Sequence, residues 1–422
     1  MIIKSLHLEN YRCFENFDIG FDDRLTVLVG VNGAGKTATL DALSVFLKQA
    51  GHPENKNNQT YYLSTSDIAI GRNPEDIRYF LEARQRSITA ETVAMSLIYH
   101  ATHYGSIYIG PEKHVEAIQR VLNNETVLCA AYMAGRFIRD EESVLKNSIY
   151  TPSAFSAFEN SFNRNIDYSS TVAWFNNADA DEARNMRDNG TKDELPELRA
   201  VREALSQALL GQYEKPRMLG NPPELIVHKK GTDVAYKVSQ LSDGYRAMLA
   251  LVMDLARRMA QVISNKDDSC GSLLNTPAIV LIDEVELHLH PSWQQTVLNT
   301  LQEIFPNTQF IVTTHSPQVL TSIPSKHIRI LSDGKAYTYN EQSEGAEASR
   351  LLNRVFGVET RPFSLGIVQA LRKYQNMVYA EQWDTPEAEA LRKRLTEHFG
   401  YEEPLLMELD LHIENVKWER GL

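Results

Sequence analysis

An α/β fold, with a sheet whose faces are covered by helices, is predicted by two stretches of the sequence. Near the N-terminus the apolar run Leu25-Thr26-Val27-Leu28-Val29 enters a glycine-rich turn. Beyond it Ala38, Leu40, Ala42, Leu43, Phe46 and Leu47 keep a helical period as far as Gly51. From residue 224 strands and helices alternate again. Leu225-Ile226-Val227 and Val234, Tyr236, Val238 flank a turn at Gly231, and a helix runs from Met248 to Val262. A strand over Ala278 to Ile282, a helix over Trp293 to Ile304 and a strand over Gln309 to Thr313 follow. The 422 residues, 43% hydrophobic and 23% charged, sit in the globular range and exclude disorder as the main state.

The other elements are read in chain order. Ile3, Leu6, Leu8 and Phe17, Ile19, Phe21 alternate as two strands ahead of Leu25, giving an antiparallel N-terminal β-subdomain. Residues 51–75 are rich in Asn, Ser and Gly and read as loop, and residues 92–109 alternate about Gly105 like a hairpin. Residues 111–222 read as mostly helical. The clearest helix there spans 197–210, with Leu198, Val201, Leu205 and Leu209 on one face, too short for a coiled-coil arm. Residues 341–422 read as helical and acidic. The expected organisation is a core from 1–50 and 224–340, an insertion of hairpin and helices over 51–223, and a helical C-terminal region over 341–422.

Charge and cysteine usage narrow the function. A net charge of −12 gives no long-range attraction to nucleic acid or an acidic membrane. Cys13, Cys129 and Cys270 share no zinc spacing and fit free thiols in a reducing compartment. The N-terminus lacks the pattern of a signal peptide, and the apolar run at Ala278 is far too short to span a bilayer, so a cytoplasmic protein without membrane contact is expected.

Three motifs carry chemistry. Gly30-Val31-Asn32-Gly33-Ala34-Gly35-Lys36-Thr37 fits G-x-x-x-x-G-K-[ST] between a strand and a helix. Such a loop turns successive N–H groups inward on phosphates at the positive end of the following helix. Gly30, Asn32, Gly33, Ala34, Gly35, Lys36, Thr37 and Ala38 are therefore expected at a nucleotide, with Lys36 on the β- and γ-phosphates and the Thr37 hydroxyl on Mg²⁺. Asp283-Glu284 ends an apolar strand, where two acids are costly unless a cation or hydrogen bonds offset them. Beside a nucleotide, Asp283 would hold Mg²⁺ and Glu284 would take the proton of the attacking water. Thr313-Thr314-His315-Ser316-Pro317 ends the next strand, placing His315 near the γ-phosphate or the water.

Gln240-Leu241-Ser242-Asp243-Gly244 opens a helix before the acidic strand, and with it the set resembles the ABC-type P-loop ATPases of the RecF, SMC and OLD-like branch. Leu8-Glu9-Asn10-Tyr11-Arg12-Cys13-Phe14 is similar to that branch's opening strand and turn, which implies that Arg12 lies near the phosphates. The resemblance implies a mixed sheet, ATP and Mg²⁺ as cofactors, and a head-to-tail dimer. In it, Leu241, Ser242, Asp243 and Gly244 of one subunit would meet the γ-phosphate held by the other. Asp243 and Tyr245 depart from the usual L-S-G-G-Q, and Asp67 is the one candidate for the family's Q-loop position.

Glu284 to Pro291, Leu352 to Gly357 and Arg361-Pro362-Phe363 narrow the resemblance to the stand-alone ATPases of bacterial anti-phage systems, including PtuA of Septu and retron-linked ATPases. His288 and His290, two residues apart, read either as metal ligands or as part of a subunit-contacting loop. The expected function is an ATP-hydrolysing regulatory subunit of a defence complex. It would act as a homodimer or higher homo-oligomer and control a small HNH-type nuclease, with any DNA contact made through the complex. A RecF-like repair ATPase is the alternative. A self-contained OLD nuclease lacks its Toprim acids, and a transporter subunit is disfavoured by the long insertion.

Overall fold

The computed structural model describes residues 1–51, 78–84, 92–101, 107–109, 127–134, 157–158, 161–162, 168–190, 194–209, 211–220, 224–263 and 270–421. They divide into two compact units, Met1–Leu351 and Leu352–Leu422.

The first unit opens with β1 (Ile2–Tyr11), β2 (Phe14–Gly20) and β3 (Leu25–Val29), followed by α1 (Lys36–Gly51). Alternating apolar residues set the β1–β2 register, with Leu6 opposite Ile19 and Leu8 opposite Phe17, all four buried. β4 (Arg78–Arg84), β5 (Thr92–Ala101) and β6 (Ile107–Ile109) extend this pair into an antiparallel sheet of order β2-β1-β4-β5-β6. β5 and β6 pair antiparallel as the hairpin expected over 92–109 requires, while its turn about Gly105 lies outside the described residues. β4, which bridges β1 and β5, had no sequence signal of its own.

The stretch expected to be mostly helical also holds strands. β7 (Leu128–Tyr132) is followed by α2 (Tyr168–Asn189) and α3 (Pro196–Ala208). α3 is the expected helix and buries Leu198, Val201 and Leu205, with Leu209 buried just beyond it. β8 (Tyr213–Leu219), β9 (Glu224–Lys229) and β10 (Ala235–Lys237) form a separate antiparallel sheet. α4 (Asp243–Ile263) begins at Asp243 rather than at Met248, so Asp243 and Gly244 of the signature open its first turn and Leu241 and Ser242 lead into it. β11 (Ala278–Ile282), β12 (Thr308–Thr313), β13 (Ile328–Ser332) and β14 (Lys335–Thr338) complete the strands. The helix expected after Pro291 is two pieces, Pro291–Gln294 and Val297–Ile304.

The central sheet has the order β14-β13-β3-β12-β11-β7. Every neighbouring pair is parallel except β13–β14, which makes the sheet mixed. β3, β7, β11 and β12 are buried along their whole length, which fits strands covered on both faces. One apolar cluster joins Leu6, Phe14 and Phe17 of the antiparallel sheet to Leu40, Leu43 and Phe46 of α1 and to Ile279, Leu281 and Ile311 of the central sheet. The consequence for function is geometric. The carboxyl ends of β3, β12, β11 and β7 share one edge, so the phosphate loop, the Thr313–Ser316 turn and the acidic pair meet there.

A buried ionic cluster ties α4 to that edge. Asp254 accepts hydrogen bonds from Arg257 at 2.7 Å, Arg258 at 2.7 Å, Tyr132 Oη at 2.9 Å and Thr171 Oγ1 at 3.0 Å. Burial pushes the Asp254 carboxyl up, but Arg258 and Arg257 overcome it and hold the group well below the usual carboxylate range. Tyr132→Phe removes one donor without changing volume. It is expected to cost about 1–2 kcal/mol of stability, read as a lower urea midpoint, because three donors still satisfy Asp254.

In the second unit the helices Gly366–Tyr379, Pro386–Phe399 and Pro404–Glu419 enclose a core of Leu371, Tyr374, Val378, Leu395, Leu406 and Leu409. Thr385 caps the middle helix by accepting the Ala388 N–H, and Arg392 pairs with Asp410. Met407, Leu411 and Trp418, on the face of the last helix away from Leu406 and Leu409, are exposed. No helix among the described residues is long and apolar enough to cross a membrane. Cys13 and Cys129 are free, and burial pushes the Cys129 thiol up to about 12.

Candidate functional site

The phosphate loop leaves β3 and closes against the N-terminal strands. Gly35 has φ 96°, and a Cβ there would lie 2.1 Å from Phe14 Cζ and 3.0 Å from Cys13 Sγ, so only glycine fits. Lys36 is buried and lies back along the loop, donating to the Gly30 carbonyl at 2.8 Å and the Val31 carbonyl at 3.0 Å. Burial pushes its ammonium below the ordinary lysine value, against the pull of Asp283, Glu284 and Glu286. Asn32 and Gly33 lie exposed at the loop's tip, Ala34 donates its N–H to the Val31 carbonyl, and Ala38 is buried in the first turn of α1.

Thr37 and the acidic pair meet directly. Thr37 Oγ1 donates to Asp283 Oδ2 at 3.1 Å, and Thr313 Oγ1 donates to Asp283 Oδ1 at 2.6 Å. The Thr313 hydroxyl also accepts the Glu284 N–H at 2.7 Å, and the Asp283 N–H donates to the Tyr132 carbonyl at 2.8 Å. Glu284 sits at φ 49°, a left-handed conformation unusual for a residue with a side chain. That turn carries its half-buried side chain out of the alternation of β11. Backbone strain of this kind is characteristically held at functional sites by bonds such as these.

His315 is exposed, and its backbone N–H donates to Glu286 Oε1 at 2.6 Å. Thr313, Glu286 and Tyr132 were not singled out from the sequence as site residues. Two of them lie inside motifs that were, and the third ends a strand that read as helix.

The remaining expected residues lie further out. Arg12, at φ 48°, donates to Asp41 Oδ2 at 2.6 Å, on the second turn of α1. Leu241 is buried beneath the start of α4, whereas Ser242 and Asp243 are exposed. Asp243 pairs with Arg246, whose hydrogen bond and charge hold its carboxyl below the ordinary value. A Cβ on Gly244 would lie 2.7 Å from the His288 carbonyl oxygen, so the signature turn packs on the loop after the acidic pair only because residue 244 is glycine. His290 caps the helix Pro291–Gln294 through the Ser292 N–H, and among the described residues no group of three or more His, Cys, Asp or Glu could hold a metal ion. Asp67 lies outside the described residues.

A family model described as an AAA ATPase domain matches residues 1–89, and one whose description names an AAA domain and the AbiEii toxin of a Type IV TA system matches residues 142–321. Over 489 residues the chain is 30% identical to the Retron Ec83 probable ATPase of Escherichia coli, covering 99% of this chain and 87% of that protein. The chain belongs to this retron ATPase family. A second retron relative, the Retron Vc95 probable ATPase of Vibrio cholerae serotype O1 biovar El Tor, is 24% identical over 94% of this chain and 88% of its own length. The Septu protein PtuA of Bacillus mycoides (strain KBAB4) is 35% identical over 99 residues, covering 24% of this chain and 13% of that protein. The chain is thus an ABC-type P-loop protein with its phosphate loop and acidic strand assembled on one sheet.

Proposed function

We propose that this chain binds and hydrolyses Mg-ATP in an anti-phage defence complex, as a dimer closed around nucleotide that controls a separate HNH-type nuclease. The observation that carries the ATPase reading is the hydrogen-bonded row from Thr37 through Asp283 and Thr313 to Glu284. Thr37 and Asp283 offer two oxygen donors at adjacent positions, a hard donor set with room for waters and phosphate oxygens, which suits Mg²⁺. Bound there, Mg²⁺ would neutralise charge on the β- and γ-phosphates.

The chain's own groups do the rest. Loop N–H groups and Lys36 bind the phosphates. Thr313 orients Asp283 and fixes the backbone of Glu284, and the Glu284 carboxylate accepts a proton from the attacking water. The position of His315 just past the strand between β3 and β11 supports a contact with the γ-phosphate. Arg12, bonded to Asp41 on the second turn of the helix that follows the phosphate loop, is assigned to the rim of that site in this reading.

The dimer reading is supported by the exposure of Ser242 and Asp243 at the positive end of a 21-residue helix. Arg246 meets the Asp243 charge, which lessens its repulsion of a partner's phosphate. Ser242→Arg places bulk and charge on that contact. It should spare ATP binding at one site yet block hydrolysis and ATP-dependent association. Light scattering that finds the variant dimerising normally with ATP would count against the arrangement.

Control of a nuclease is supported by the second unit, which exposes Met407, Leu411 and Trp418 on one helix. The test is purification from the native operon with identification of co-eluting chains. Plasmid cleavage by the purified chain alone would contradict it.

A further inference from the structure

Glu286 lies two residues past the acidic pair, and ATP hydrolysis as derived above gives it no task. Both of its carboxylate oxygens are committed to one short segment at the end of β12. Oε2 accepts the Thr314 hydroxyl at 2.7 Å, and Oε1 accepts the His315 backbone N–H at 2.6 Å. Thr314 is buried, and its hydroxyl oxygen also accepts the Ser316 N–H at 3.0 Å. The exposed imidazole of His315 makes no hydrogen bond to any described residue. Residue 315 is therefore placed through its backbone alone.

Its neighbours are anchored independently. The Thr314 N–H donates to the Leu28 carbonyl at 3.1 Å, and Ser316 caps the helix Pro317–Leu320 through the Gln318 N–H. His315 is the middle one of the three residues between strand and helix, and Glu286 is what holds its backbone. A hydrogen bond to an ionised acceptor is roughly twice as strong as a neutral one, so a carboxylate suits this position. An amide would not, since glutamine offers one oxygen to two converging donors and turns an NH₂ toward the other. Glu286 is also among the three acids that pull on Lys36, so it stands within the field of the phosphate site.

We propose that Glu286 is a positioning residue for ATP hydrolysis, clamping Thr314 and His315 so that the imidazole is held at the γ-phosphate. The assignment rests on the ATPase reading of the site. It also explains why an acid two places beyond Glu284 is turned toward the neighbouring strand rather than toward solvent.

The test uses the full chain as wild type, E286Q, H315A and the double variant. E286Q is expected to lower kcat about tenfold to a hundredfold, the scale of a reacting group displaced by an ångström, while Mg-ATP affinity by calorimetry changes little. With His315 already replaced, E286Q should add no further loss, because the imidazole that Glu286 places is gone. Losses that multiply would overturn the assignment.

A readout independent of turnover is the His315 imidazole nitrogen resonance, which should shift with Mg-ATP in wild type and lose that shift in E286Q. An unchanged shift in E286Q would also overturn the assignment. Should E286Q melt early, E286D, which keeps both acceptor oxygens, carries the same comparison and should retain part of kcat. Wild-type chain that binds no Mg-ATP would instead defeat the ATPase reading, and this assignment with it.

Discussion

Glu284→Gln is expected to leave Mg-ATP binding within a few-fold of wild type and to slow phosphate release by about a hundredfold to ten-thousandfold. The substitution is close to isosteric, and backbone bonds help to hold residue 284 in place. Its N–H donates to Thr313 Oγ1 at 2.7 Å, and the following Val285 N–H donates to the Thr313 carbonyl at 3.0 Å. The left-handed backbone at φ 49° therefore survives the change. What is lost is the basic oxygen, since an amide does not accept a proton from water at neutral pH. Asp283, Thr37 and Lys36 are untouched, so binding and hydrolysis separate. Single-turnover phosphate release is the measurement, and a rate equal to wild type would remove Glu284 from the role of base.

The parts of this site that were legible from sequence are those with a local signature. The phosphate loop is a fixed spacing between a strand and a helix, and the acids at 283 and 284 are conspicuous because they end a wholly apolar strand. The helix α3 declared itself through Leu198, Val201 and Leu205 at helical spacing. β7 did not. Leu128-Cys129-Ala130-Ala131-Tyr132 is buried on both faces, so it has no alternation, and two alanines with a leucine favour helix as readily as strand. Only its pairing with β11, Val280 opposite Ala130, makes it a strand. β8 was hidden for another reason: it carries Pro216 and an irregular register between Glu214 and Arg217, which demotes a strand on local grounds.

Glu286 and Thr313 show the same limit among functional groups. Each was visible as a letter within a motif, but their partners lie on neighbouring strands. Glu286 meets Thr314 across 28 positions and Thr313 meets Asp283 across 30. Such bonds follow from strand order, and the placement of β12 between β3 and β11 becomes evident only in the folded sheet.

Lys36→Ala should reduce Mg-ATP affinity by about a thousandfold without unfolding the chain. A unit charge 4 Å from a phosphate charge, at an effective dielectric of about 20, is worth roughly 4 kcal/mol, or about three decades in affinity. The loss is aggravated because Asp283, Glu284 and Glu286, whose charges Lys36 now offsets, would then face the incoming polyphosphate without it. Stability should move the other way or not at all. Burial holds the Lys36 ammonium below its ordinary value despite those three acids, which means that the charged form is less favoured in the fold than in the unfolded chain. By linkage, that cost is fully present below the lowered pKa and fades as the pH climbs toward the unfolded lysine value of about 10.4. Alanine removes the cost along with the charge, so the variant's melting temperature at neutral pH should stay within a few degrees of wild type while calorimetry with Mg-ATP loses its signal. A variant that binds Mg-ATP with the wild-type dissociation constant would show that Lys36, though buried in the loop, does not face the phosphates.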